Sequence, residues 1–363
     1  MRSRLLRAAS VALLFGAGLI AFTLLPYLRA DTGEGLSVRL ATWGRDHHLG
    51  ALVDVAERAR YSSPPPAAPA DSLPVEEDLA TPPPTTAETV YAPAPLQPVV
   101  VPALKNEGAW RIAHRNRAGT PDVWTAGYRP SRRAASVTAT FMTIDQSHTR
   151  AVMFNGPEIP GGTSWKHYRR IPRESTPDAV AAFNGGFRKE HSKGGYMTEG
   201  RTIWPLKHGA ATLAIDAGGK VHIGVWGRDM GSADGFVSIR QNLWLLVDGH
   251  KAVDTSSHFW GAWKDGDLFI LRSAVCERTD GKLMYAIVGN ADAAILARTL
   301  EKAGCERAMQ LDVNAAWPKG YVFKNGLPKK VDSRVTGRED LYVNGSSKEF
   351  FAFFDTAQET SRG

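Results

Sequence analysis

The chain has 363 residues, of which 43% are hydrophobic and 22% charged, with a formal charge of +7 and only two cysteines. Such a composition supports a folded core, and two cysteines are too few for a disulfide scaffold and fit no metal-ligand spacing. A basic chain favours anionic neighbours. It carries no zinc-finger, RNP or helix-turn-helix pattern, however, so nucleic acid is not an expected partner.

Arg2, Arg4 and Arg7 precede an uncharged apolar run over residues 8–28, and Arg29 alone follows it directly. The run is long enough to cross a hydrocarbon layer of about 30 Å as a helix. Together with the charge asymmetry it predicts an uncleaved signal-anchor over residues 1–30. The N-terminus would then be cytoplasmic, the chain would cross a cell membrane once, and the remainder would be extracytoplasmic. Over 31–63, Leu49, Leu52, Val53, Ala56 and Ala59 recur at helical spacing and predict a juxtamembrane helix. From Pro64 to Pro102 the chain holds about half of its prolines and no Lys or Arg. Residues 64–104 are therefore expected as an extended, disordered, Pro-rich linker.

Residues 105–363 read as a single α+β domain with a mixed, largely antiparallel sheet and few helices. Strands are expected over 136–144, 151–154, 178–183, 212–216, 221–226, 243–247, 268–276, 283–288 and 308–312. Asp280-Gly281 is a strong hairpin dipeptide between two of them. One helix is clear, capped by Asn290, facing inward through Ile295, Leu296, Thr299, Leu300 and Ala303, and closed by Gly304. Cys276 ends one apolar strand and Cys305 precedes another. They are either two buried thiols or, in an external compartment, a Cys276–Cys305 disulfide, and the extracytoplasmic placement predicts the bridge.

The chemistry is expected to gather around Asn184-Gly185-Gly186-Phe187, where a buried strand ends in a polar amide and two glycines. Consecutive glycines let a ligand approach the backbone, so their N–H groups could form an anion-binding concavity; a plain tight turn is the alternative. Asp312 ends another buried strand, where a carboxylate has to be solvated, hydrogen-bonded or paired. Arg272 lies within an apolar strand and needs an anionic or polar partner, such as a phosphate oxygen or Asp312 itself. Glu199 is a loop carboxylate beside Arg201, and His208 is a histidine next to Lys207. No metal centre and no cofactor is expected, although a divalent cation bridging Asp312 to a phosphate stays open.

Asn184-Gly185-Gly186-Phe187, Gly195-Tyr196-Met197, Ala211 to Asp216, Leu246-Val247-Asp248-Gly249, Arg272-Ser273-Ala274 and Met309-Gln310-Leu311-Asp312 occur in the order and rough spacing of one family. Over about residues 135–355 the chain resembles the phosphodiester glycosidases. One motif departs: that family usually reads Leu-Asp-Gly-Gly-Gly-Ser where this chain has Leu311-Asp312-Val313-Asn314-Ala315-Ala316. The resemblance implies a hydrolase that cleaves a sugar from a sugar-1-phosphodiester, here a phosphate-bearing envelope glycan or glycolipid. Asp312 and Glu199 would share acid and base work. Asn184, Gly185, Gly186, Phe187, Arg272, His208 and Asn314 would bind substrate. A wall-binding module without turnover is the alternative from a different class.

Overall fold

The computed structural model describes residues 18–29, 35–79, 92–260, 268–314 and 316–356. They fall into two units. The first contains the helix Leu36–Asp46 and the helix Gly50–Tyr61 up to Arg60, and here Arg45 reaches Asp54 and Glu57, each at 2.8 Å. The second helix is the one expected from the spacing of Leu49 to Ala59. Residues 18–29 are helical, but the first part of the expected anchor, 8–17, lies outside the described residues. Among the described residues no helix is long and apolar enough to cross a membrane.

The second unit is built from three sheets, in which the named strands pair antiparallel throughout, so the expected mixed sheet is corrected. The eight-stranded sheet runs Arg111–Arg115, Pro121–Tyr128, Ala139–Ile144, Leu283–Ala291, Ile270–Arg278, Cys305–Val313, Leu245–Asp248, Lys251–Ala252. One five-stranded sheet runs Arg201–Trp204, Tyr196–Thr198, Phe236–Gln241, Ala211–Asp216, Val221–Val225. The other runs Leu327–Lys330, Gly320–Lys324, Ala179–Asn184, Phe350–Asp355, Thr149–Phe154.

The central strands look continuously apolar because both faces of the large sheet are covered. Val275, Tyr285, Ile287, Met309 and Leu311 point into a core shared with the other two sheets. Their neighbours Ala274, Cys276, Met284, Ala286 and Ala308 point into a second core under the helix Ala293–Lys302. That alternation is the two-residue period of a strand. The helix is capped by Asp292, whose Oδ1 accepts from Ile295 N at 2.6 Å, and not by Asn290, which adopts φ 52° just before it. Cys276 and Cys305 sit on adjacent strands and form a disulfide with Cα atoms 5.7 Å apart.

The described parts of the proline-rich stretch are packed on the sheets and include one short 3-10 turn, Glu77–Leu79. Residue 75 bridges residue 332, Ala70 N donates to Ala135 O, and Leu79 is buried in the main core. Farther on, Arg129 forms a buried pair with Glu107 at 2.7 Å and also donates to Pro102 O, while Leu96 enters the second core. The expectation of a free spacer is corrected for 64–79 and 92–104; residues 80–91 lie outside the described ones. The reason is that Leu79, Leu96 and Val100 are buried apolar anchors within the stretch. Leu79→Ala is therefore expected to cost about 2–5 kcal/mol, the usual range for emptying a buried leucine site. A denaturant midpoint unchanged from wild type would return this stretch to the status of a tether.

Candidate active site

The strand Ala179–Asn184 lies between Gly320–Lys324 and Phe350–Asp355, and Asn184 is its last residue. The Asn184 side chain is buried and fully used. Its Oδ1 accepts from the Tyr285 hydroxyl at 2.7 Å and from Lys319 N at 2.9 Å, and its Nδ2 donates to Gly185 O and to Ser273 Oγ. Ser273 in turn donates to the Asp312 carbonyl at 2.8 Å. Asn184 thus ties the end of its own strand to two strands of the large sheet, and this positions Asp312.

The expected anion-binding concavity is already filled by protein. Gly185 N donates to Glu349 O, Gly186 N to Glu349 Oε1 at 2.9 Å, and Phe187 N to Asn242 Oδ1 at 3.1 Å. Glycine is required for room: a Cβ on Gly185 would collide with the Glu349 side chain, and one on Gly186 would lie 3.0 Å from Asn242. Phe187 is buried in the second core. The four residues therefore shape the site from behind, and their amides do not face a ligand.

Glu349 and Arg240 were not singled out in the sequence, yet they are the most deeply buried charges here. Arg240 Nε donates to Glu349 Oε1 at 2.8 Å with both side chains 0% exposed, and the guanidinium also donates to Gln241 O and Phe187 O. It lies over the rings of Tyr196 and Trp204. The available signal was Arg240-Gln241-Asn242, three polar residues at the end of an apolar strand, and Lys348-Glu349 directly before an aromatic run. Burial, outweighing Arg240 and the Gly186 N–H, pushes the Glu349 carboxyl above the usual carboxylate range. An acid raised in this way stabilises the fold fully below its unfolded pKa, and that contribution is lost as pH rises through the folded one. Wild type should accordingly lose stability relative to Glu349→Gln on raising the pH from about 4.5. Parallel melting curves across that window would contradict the assignment.

Asp312, 7% exposed, keeps a carboxylate at the edge of this cluster. Its Oδ2 accepts from Lys348 Nζ at 2.9 Å and its Oδ1 from Val313 N at 2.9 Å. The Lys348 ammonium lies 3.4 Å from the centroid of the half-buried Trp317 ring. Arg272 is not its partner. Among the described residues the guanidinium, on a residue 2% exposed, donates to Ala291 O, Leu268 O and Gln310 Oε1. Asn314 takes φ 79°, and its Oδ1 accepts from Ala316 N at 2.7 Å.

Glu199 and His208 are not drawn into this cluster. Glu199 accepts from Lys166 N at 3.1 Å and His167 N at 2.9 Å, and it lines a separate cavity. Arg201, two residues on, lies over the Trp165 ring. His208 is exposed and sits against Gly227 in a turn of the other five-stranded sheet. The structure therefore joins Asn184, Asp312 and the Gly185–Phe187 segment, and adds Lys348, Glu349, Arg240, Asn242 and Trp317.

Residues 177–312 match the family model of the phosphodiester glycosidases. The matched segment contains Asn184, Arg240, Asn242, Arg272 and Asp312, whereas Trp317, Lys348 and Glu349 lie beyond it. Solved structures similar to this chain include the catalytic domain of zebrafish N-acetylglucosamine-1-phosphodiester alpha-N-acetylglucosaminidase, auto-inhibited by pro-peptide. It is 13% identical with TM-score 0.44, covering 66% of this chain and 86% of that one. Another is a hypothetical protein from Synechocystis, 11% identical with TM-score 0.39, covering 65% and 62%. No curated protein sequence matches the chain.

Proposed function

We propose that the chain is a hydrolase that cleaves a sugar from a sugar-1-phosphodiester, with Asp312 as the carboxylate that takes the proton of the attacking water. The observation that carries this reading is the Asp312–Lys348 pair at the rim of a buried polar cluster, within a chain whose residues 177–312 match that family. The separation of Glu199 from Asp312 removes the expected second carboxylate, but this leaving group needs an acid less than an alcohol does. A departing phosphate monoester has a second pKa of about 6 and leaves readily as an anion. In the proposed step a water oxygen bonds to the anomeric carbon, the carbon–oxygen bond to phosphate breaks, and the water proton passes to Asp312. Lys348 offsets the charge on the departing phosphate, and Trp317 offers a ring face to the sugar.

The proposal places the domain outside a cell membrane, held by residues 8–28, with a phosphate-bearing envelope glycan or glycolipid as substrate. It is supported by the apolar run, the three arginines before it and the basic chain. A C-terminal tag on intact spheroplasts should be degraded by added protease, and a soluble mature form beginning near Asp31 would rule out the anchor. One observation favours a second reading, a glycan-binding module without turnover: the loop amides expected to hold phosphate are taken by Glu349 and Asn242. Sugar release from an artificial sugar-1-phosphodiester by the purified chain separates the two. Glycan binding with no sugar released from any such substrate would leave only the module.

A further inference from the structure

The strand Thr149–Phe154 is the free edge of its sheet, with Phe350–Asp355 on its inner side. On the outer side, Ala151 N donates to Gly219 O at 2.8 Å and Asn155 N to His167 O at 2.9 Å. In an antiparallel pair, residues two apart send their N–H and C=O groups to the same side. Met153, midway between these two, therefore directs its backbone donor and acceptor outward, where no protein partner meets them among the described residues. Its side chain is in the main core and the residue is 2% exposed, so it meets the cavity through its main chain alone.

A cavity of about 420 Å³ opens at this gap, lined by Met153, Arg150, Lys166, Glu199, Asp216 and Ser238 among others. That volume lies in the range of small-molecule sites, about 300–1,000 Å³. Both carboxylates in its wall are already satisfied. Glu199 accepts from the N–H groups of Lys166 and His167, and Asp216 from those of Gly218 and Lys220 and from His222. The cationic side chain of Lys166 is exposed, and Arg150 adds a second positive charge to the wall.

We infer that this cavity binds a secondary amide carrying a nearby carboxylate, as in an N-acylated amino acid or the carboxy-terminal residue of a peptide. The amide N–H donates to Met153 C=O and one carboxylate oxygen of the same residue accepts from Met153 N–H, as the N–H and C=O of one residue do in an antiparallel pair, while the other carboxylate oxygen meets Lys166. Gly219 and His167 close the strand edge on either side, so a chain cannot run through and only a terminal amide fits. The site is separate from Asp312, and the inference does not rest on the proposed hydrolase activity.

The test uses the full chain labelled with ¹⁵N-methionine, which holds seven methionines, with the Met153 amide signal assigned through Met153→Leu. N-acetylglycine is expected to shift that signal saturably. Valerate, which lacks the amide, should do so at least about tenfold more weakly, and Lys166→Ala should raise the N-acetylglycine midpoint by a similar factor, about 1.4 kcal/mol. Acetyl-trialanine binding more tightly than N-acetylglycine would identify a peptide terminus as the source, and the reverse order a free acylated amino acid. No saturable shift at Met153, or equal response to valerate, would overturn the inference. Sugar release at Asp312 should be unchanged in Lys166→Ala, so a failure of the proposed function would be read separately.

Discussion

Arg240→Met is expected to destabilise the chain by about 3–5 kcal/mol at neutral pH, the usual result of removing one partner from a fully buried ion pair. Gln241 O and Phe187 O lose the guanidinium as donor, and Glu349 Oε1 keeps only Gly186 N–H. The neighbouring groups cannot reach water, because both side chains are 0% exposed. Methionine fills the space beneath Tyr196 and Trp204 but offers no hydrogen. The cost should shrink in acid, because without Arg240 the carboxyl of Glu349, already raised by burial, is the more easily neutralised. Chemical denaturation at neutral and acidic pH checks both parts. A loss below about 1 kcal/mol, as for an exposed pair, would show that the Arg240–Glu349 pair does not hold the Gly185–Phe187 segment in place.

The elements legible in the sequence were those fixed by near neighbours. The hairpin at Asp280-Gly281 and the pairing of Ala211–Asp216 with Val221–Val225 need only a two-residue period and a turn dipeptide. The division into three sheets was not legible, because the partners of Ala179–Asn184 come from Gly320–Lys324 and Phe350–Asp355, far along the chain. No local pattern encodes that distance. The same cause explains the site. Asn184-Gly185-Gly186-Phe187 stood out as unusual, but the reason for its glycines is the Glu349 side chain, which arrives from a remote strand. Asp312 was recognisable as a carboxylate at a buried strand end, while its pairing with Lys348 depended on a bend residue 36 positions along the chain coming back to it. Arg272 shares its face with Ala274 and Cys276 over the helix, and its guanidinium meets carbonyls there.

Asp312→Asn is expected to lower turnover on an artificial sugar-1-phosphodiester by about two to four orders of magnitude, the range for loss of a general acid-base group. The substitution keeps one oxygen, enough to accept from Val313 N, but replaces the oxygen that accepts from Lys348 Nζ with an NH2 group and removes the negative charge. Lys348 is then left with the Trp317 ring as its main compensation, and the loss of a charged hydrogen bond should cost about 1.5–3 kcal/mol of stability. Adding Lys348→Met removes the stranded ammonium, and replacing a buried pair by uncharged neighbours is commonly close to neutral. The double variant should therefore regain most of the stability lost in Asp312→Asn. Its turnover should stay low, because methionine restores no group able to take a proton from water. Melting temperature and sugar release, measured on wild type, both single variants and the double variant, form a complete cycle. Recovery of turnover along with stability in the double variant would mean that Asp312 serves only to hold Lys348, and the carboxylate acting on the sugar would have to be sought elsewhere.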